Sequence, residues 1–221
     1  MFLNFEKFLN RPLPPNPTFF DVGANKGLWQ DQIIALYPKC IIYAFEPIPG
    51  ILPKRENVIL NLYAIDLDET NNKVFYITKD NVTSSLLELN EKVTNTFVDF
   101  VNDRGVLHKK ADFDVVKQIR VKTKRLDTFI RKNRISGIHY LKIDTEGNDL
   151  NVFKSLGDKQ KIVWSFEMEV WNEPNTLFKD SAWLNECLKY VESHGFKLVD
   201  KFIHGKGLSS DLLFVKNQLL K

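Results

Sequence analysis

The chain has 221 residues, of which 43% are hydrophobic and 12% aromatic, enough for one α/β domain with a sizeable core. A formal net charge of +3 is too small and too dispersed to argue for nucleic-acid binding by itself. The two cysteines, Cys40 and Cys187, sit in apolar patterns and read as reduced core residues, and no long apolar run predicts a signal peptide or membrane span, so a cytoplasmic protein is expected.

Residues 1–17 read as an N-terminal arm. Met1 to Leu9 predicts a short amphipathic helix with Phe2, Phe5, Phe8 and Leu9 on one face, and the proline-rich stretch Arg11 to Pro17 forces an extended connector. Residues 18–221 read as a single domain. Its first strand, Thr18 to Val22, runs into a turn at Gly23 and Gly27 and then a helix through Leu28, Ile33, Ile34 and Tyr37, stopped by Pro38. A second strand, Cys40 to Phe45, ends on Glu46. In an α/β sheet both strands aim their carboxyl ends at the rim where ligands bind. A carboxylate there suits a ribose diol, because it accepts from two hydroxyls. A dinucleotide fits poorly: Asn25 replaces the second glycine of G-x-G-x-x-G, and Asp21 would repel a pyrophosphate. S-Adenosylmethionine, carrying an ammonium and a sulfonium, matches the acidic setting.

Val58 to Leu62 predicts the third strand. Beyond it, backbone N–H groups near Ala64 and Ile65 are placed to meet adenine and Asp66 to accept from its amine, unless Asp66 to Glu69 is only a solvated turn. Lys73 to Lys79 and Ile119 to Thr123 read as strands around a polar insertion at about 80–118. This insertion reads as a mobile flap over the acceptor pocket, carrying Ser84, Ser85 and the aromatic residues Phe97, Phe100 and Phe113, with a helical decoration as the alternative. A helix opens at Leu126. The fourth strand, Ile138 to Asp144, delivers Asp144 and Glu146 to the rim and is followed by a helix ended by Gly157. The fifth, Ile162 to Phe166, delivers Glu167, Glu169 and Trp171. A helix from Ser181 to His194 and a terminal strand pair complete an α/β sheet that is parallel except for its last strand, with helices on both faces.

Five stretches, Phe20-Asp21-Val22-Gly23-Ala24-Asn25-Lys26-Gly27, Phe45-Glu46-Pro47, Ser84-Ser85-Leu86, Arg125-Leu126-Asp127 and Leu141-Lys142-Ile143-Asp144-Thr145-Glu146-Gly147, together resemble the FkbM family of S-adenosylmethionine-dependent methyltransferases. Phe166-Glu167 one strand later adds to the resemblance, which runs from about Thr18 to Val215. It implies a class I methyltransferase fold, Rossmann-like, with seven strands in the order 3-2-1-4-5-7-6, and O-methylation of a small or glycan-linked hydroxyl. By position it assigns Asp21, Gly23, Asn25, Gly27 and Glu46 to the cofactor; Ala24 and Pro47 belong to the same two loops, and Asp144 faces them.

Methyl transfer to oxygen needs the acceptor aligned behind the methyl, water excluded, and a base or a Lewis-acidic metal to take the proton. The expected base is a carboxylate, Asp144 or Glu167, with His204 behind them. Glu146, Glu169 and Trp171 are expected to line the acceptor pocket with Ser84 and Ser85. A divalent metal held by these carboxylates is the less favoured alternative, and no metal ligands are assigned. Lys142 is expected to pair with a nearby carboxylate. Other readings are a nucleic-acid methyltransferase using Lys109, Lys110, Lys117, Lys122, Lys124 and Arg125, a non-catalytic cofactor-binding module, and a nicotinamide-linked oxidoreductase, which the glycine spacing disfavours.

Overall fold

The computed structural model describes residues 3–96, 98–101, 107–204 and 207–221. Phe2, Phe97, Gly205 and Lys206 therefore lie outside the described residues. In chain order the elements are β1 (Thr18–Val22), α1 (Leu28–Leu36), β2 (Ile41–Phe45), β3 (Val58–Asn61), β4 (Ala64–Ile65), β5 (Thr70–Thr78), α2 (Glu91–Thr94), β6 (Phe100–Val101), β7 (Leu107–His108), β8 (Val115–Lys124), α3 (Leu126–Lys132), β9 (Tyr140–Ile143), α4 (Asp149–Lys154), β10 (Ser165–Trp171), α5 (Leu184–Ser193), β11 (Phe196–His204) and β12 (Ser209–Lys216).

The main sheet has seven strands in the order β3-β2-β1-β9-β10-β12-β11. Counting only its own strands in chain order, this is 3-2-1-4-5-7-6. β12 alone runs antiparallel to its neighbours, as expected for a class I methyltransferase fold. Residue alternation sorts the strand side chains onto two cores. Phe20, Val22, Leu141, Ile143, Phe166 and Met168 face α3, α4 and α5, while Phe19, Ile42, Tyr140, Leu213 and Val215 face α1 and the arm.

The expected N-terminal helix shrinks to a 3-10 turn over Phe5–Phe8, because the arm is fixed by what it buries rather than by its own periodicity. Phe5 is fully buried against Phe19, Tyr37 and Tyr140, and Leu9 bridges to Leu220.

The insertion is a folded unit. β5 and β8 form a long antiparallel pair, with β4 added parallel to β8. Residues after β5 turn back, so that Tyr76 and Ser85 exchange backbone hydrogen bonds of 2.8 and 3.0 Å. Among its described residues, α2 and a 3-10 turn at Lys110–Phe113 pack Val93 and Phe113 against Leu177 and Phe178. Among the described residues no helix is long and apolar enough to cross a membrane.

Candidate functional site

The carboxyl end of β1 is fixed by close packing. Gly23 has φ +80°, and a Cβ there would overlap the backbone carbonyl of Asp144 just past β9. The N–H groups of Gly23 and Ala24 both donate to the Phe45 carbonyl at the end of β2, at 3.0 and 3.2 Å. The turn is therefore held between two neighbouring strand ends, and only glycine permits the approach. At the end of β2, Glu46 is almost fully buried. Its Oε2 accepts from Asn25 N–H at 2.9 Å and its Oε1 from Ile48 N–H at 2.8 Å. Burial is the larger influence and pushes its pKa up, with the two N–H donors opposing. Each oxygen keeps a lone pair for a hydroxyl donor.

Above these groups lies a hollow of about 500 Å³, counting its opening to solvent. Polar groups enter it from Gly23, Asn25, Glu46, Asp144, Glu146 and Asn148, and Ile48, Ala64, Ile65, Phe75 and Leu86 give it an apolar wall. A carboxylate at one side and a flat apolar slot at the other suit a ribose and its base. Of the residues expected at the cofactor, Gly23, Asn25, Glu46, Pro47, Ala64, Ile65 and Asp144 line the hollow.

Four others stand back from it. Asp21 is 1% exposed on the α1 side of the sheet, where it accepts from Gln30 Nε2 at 2.9 Å and its other oxygen lies 3.7 Å from Lys142 Nζ. It does not line the hollow. Ala24 packs on Ala44 and Leu52. Gly27 makes room for Arg55, which caps the turn through the carbonyls of Lys26 and Gly27. Asp66 gives one oxygen to Leu67 N–H at 2.8 Å and the other to Lys73 at 3.2 Å. Asn148 lines the hollow instead, donating to the Ile65 carbonyl at 3.2 Å. The sequence brings Asn148 to the rim in the stretch Asp144 to Asp149 but gives it no role, since its reach to Ile65 is a contact between distant segments.

The acidic side of the rim is built by β9 and β10. Asp144, Glu146 and Glu169 each bring a carboxylate oxygen within 4.8 Å of the others. Glu146 sits on a left-handed backbone, φ +56°, with its carbonyl held by Ser85 Oγ–H at 2.7 Å. Asp149 caps the same turn, accepting from Thr145 Oγ1 and Gly147 N–H, each at 3.2 Å. Burial, then the nearby Glu169 and Asp144 carboxylates, push the Glu146 pKa well up. Burial and Asp144 push Glu169 up to about 8. Asp144 accepts from Lys142 Nζ at 2.8 Å.

The other expected groups fall elsewhere. Glu167 is buried one pleat below Glu169, level with Lys142 and outside the hollow. His204 pairs with Asp211 at 3.0 Å near the β11 edge, a contact that raises its pKa. Ser84 lines the hollow itself, whereas Ser85 is buried and fastens the Glu146 turn. Trp171 packs beside Val93, Leu177 and Phe178.

Comparison with known proteins bears on the family and the fold. A sequence model described as the Methyltransferase FkbM domain matches residues 21–198. Methyltransferase sdnD of Sordaria araneosa is 27% identical over 184 residues, covering 75% of this chain and 70% of that protein. A solved structure, methyltransferase FkbM from Methylobacillus flagellatus KT, has the same fold at a TM-score of 0.52 and 11% identity, covering 93% of this chain. This chain spans 45% of the length of that one.

Proposed function

The chain belongs to the FkbM methyltransferase family, and we propose that it moves the methyl group of S-adenosylmethionine onto a hydroxyl oxygen of a small or glycan-linked acceptor. The observation that carries this reading is the single hollow shared by Glu46, Gly23 and Asn25 on one side and Asp144 and Glu146 on the other. Glu46 would hold the ribose hydroxyls, and the apolar wall of Ile48, Ala64, Ile65 and Phe75 would take the adenine. When bound, S-adenosylmethionine supplies an electrophilic methyl on a cationic sulfur that leaves neutral.

Asp144, held by Lys142, would face that positive charge. Glu146 and Glu169 lie beside it; burial and mutual repulsion keep protons on this pair at neutral pH, so it would accept the alcohol proton through its ionised fraction, which grows as pH rises toward about 8. The acceptor oxygen attacks with its lone pair as its proton passes to one of these carboxylates. This moves the base from Asp144, Glu167 and His204 to the Glu146–Glu169 pair. The roof formed by Asn81, Val82 and Leu86 would keep water from the reacting atoms.

One observation favours a second reading. Three carboxylate oxygens within 4.8 Å also suit a hard divalent cation that would chelate a diol. Against it, one Asp144 oxygen already accepts from Lys142. Turnover of a hydroxylated acceptor with and without a chelator decides between them: activity that survives chelation supports the carboxylate base, and loss restored by Mg²⁺ supports the cation.

A further inference from the structure

The segment 80–90 touches two places at once. On one side Asn81, Val82, Ser84 and Leu86 roof the cofactor hollow. On the other, the chain from Glu88 to Asn90 runs against the loop that follows β10. Asn90 N–H donates to the Leu177 carbonyl at 2.7 Å and Lys179 N–H to the Glu88 carbonyl at 2.8 Å. The Asn90 side chain donates to the Thr176 carbonyl at 3.2 Å, and Lys179 Nζ meets Glu88 at 2.6 Å.

Between these two segments lies the Glu146–Gly147 turn. Ser85 holds it from the flap side through the Glu146 carbonyl. Phe178, 1% exposed, closes it from the other side, where a Cβ on Gly147 would come within 2.8 Å of the ring. Residues 172–183 contribute nothing to the lining of the hollow. Their link to it runs through the Glu88–Asn90 ladder and through the turn that carries Glu146.

We propose that segments 80–90 and 172–183 close as one clamp on the Glu146–Gly147 turn, so that filling the nucleoside hollow also sets the acceptor side. Ser85 and Phe178 are then positioning residues for the Glu146 carboxylate. The proposal rests on the reading of the hollow as an S-adenosylmethionine site. A ligand that binds only the closed clamp stabilises every part that opens with it by the same amount, whether or not that part touches the ligand. Cofactor binding would therefore also prepare the acceptor pocket.

Hydrogen exchange with S-adenosylhomocysteine tests this on the full chain. At 100 times its dissociation constant, the ligand is expected to slow exchange by about 100-fold at the Asn90 and Lys179 amides alike. The Glu88→Lys/Asn90→Ala variant puts a second lysine opposite Lys179 and removes the bond to Thr176. In it, slowing is expected to persist at Gly23–Asn25 and to be lost at Lys179. Protection at Gly23–Asn25 in the natural chain with Lys179 unchanged would overturn the clamp while leaving the cofactor reading intact. Full protection of Lys179 in the double variant would also overturn it. No protection at Gly23–Asn25 would overturn the cofactor reading and the clamp with it.

Discussion

Gly23 and Asp144 are in direct backbone contact: the Asp144 N–H donates to the Val22 carbonyl at 3.0 Å, and no side chain fits between residue 23 and the Asp144 carbonyl. The turn after β1 and the Asp144 backbone just past β9 are therefore packed directly together. Gly23→Ala is expected to force these strand ends apart and to weaken S-adenosylmethionine binding by at least about 100-fold, since a close backbone clash at positive φ has no cheap relief. Calorimetry on the folded variant checks this, with circular dichroism as the control for folding.

Glu46 and Asp66 separate two kinds of acid. Glu46→Gln replaces an oxygen that accepts from backbone N–H with a group that cannot accept, and removes the carboxylate proposed to hold the ribose. A loss of about 10- to 100-fold in cofactor affinity is expected, the size of a hydrogen bond to a charged group. Asp66→Asn should leave affinity within about threefold, because its carboxylate is held by Lys73 and Leu67 away from the hollow. A fall at Asp66 as large as at Glu46 would return Asp66 to the adenine.

Lys142 connects a row of buried charge. It lies in register with Asp21 on β1 and Glu167 on β10. Burial works against its charge, but the Asp144 and Asp21 carboxylates more than offset this and raise its pKa. Lys142→Met leaves buried carboxylates without their cation and is expected to cost about 3–5 kcal/mol of stability in urea unfolding. Adding Asp21→Asn should recover part of that cost, and strict additivity would show that the two do not interact.

The pH dependence follows from Glu169. Its carboxyl rises from an ordinary 4.5 to about 8 in the folded chain. Between those values the folded state keeps a proton that the unfolded state has lost. The associated stability is full below about pH 4.5 and is lost as pH rises toward and through about 8. His204, also raised, acts in the same direction. Urea midpoints for natural protein and Glu169→Gln at pH 5.5 and 8.5 isolate the carboxyl: the natural chain should lose more stability across that range than the variant. Equal slopes would place the Glu169 proton elsewhere.

The order of the main-sheet strands was legible in the sequence because the apolar runs of β1 and β9 are buried on both faces and end at Gly23 and Asp144, whereas β10 runs on past the expected end at Phe166, through Glu167 and Glu169 to Trp171. Side-chain direction was harder. Asp21 alternates with Phe20 and Val22, and both of those face α3–α5, so period 2 already pointed Asp21 to the α1 side. The expected pairing of Lys142 with a carboxylate is met by Asp144 at 2.8 Å, but the sequence did not show that Asp21 lies beside the same lysine, or that Gln30 holds Asp21. Period 2 likewise grouped Glu167 with Glu169, but one pleat of depth separates a buried charge from a rim acid. Asn148 and the roof residues Asn81 and Val82 meet the hollow through contacts between segments far apart in the chain, which local pattern does not encode.

The most direct test is titration calorimetry of the folded chain with S-adenosylmethionine and S-adenosylhomocysteine, alongside Glu46→Gln. The account predicts saturable binding of both ligands to the natural chain and a loss of about 10- to 100-fold in the variant. Absence of heat at millimolar ligand with the natural chain folded, or unchanged affinity in Glu46→Gln, would contradict it.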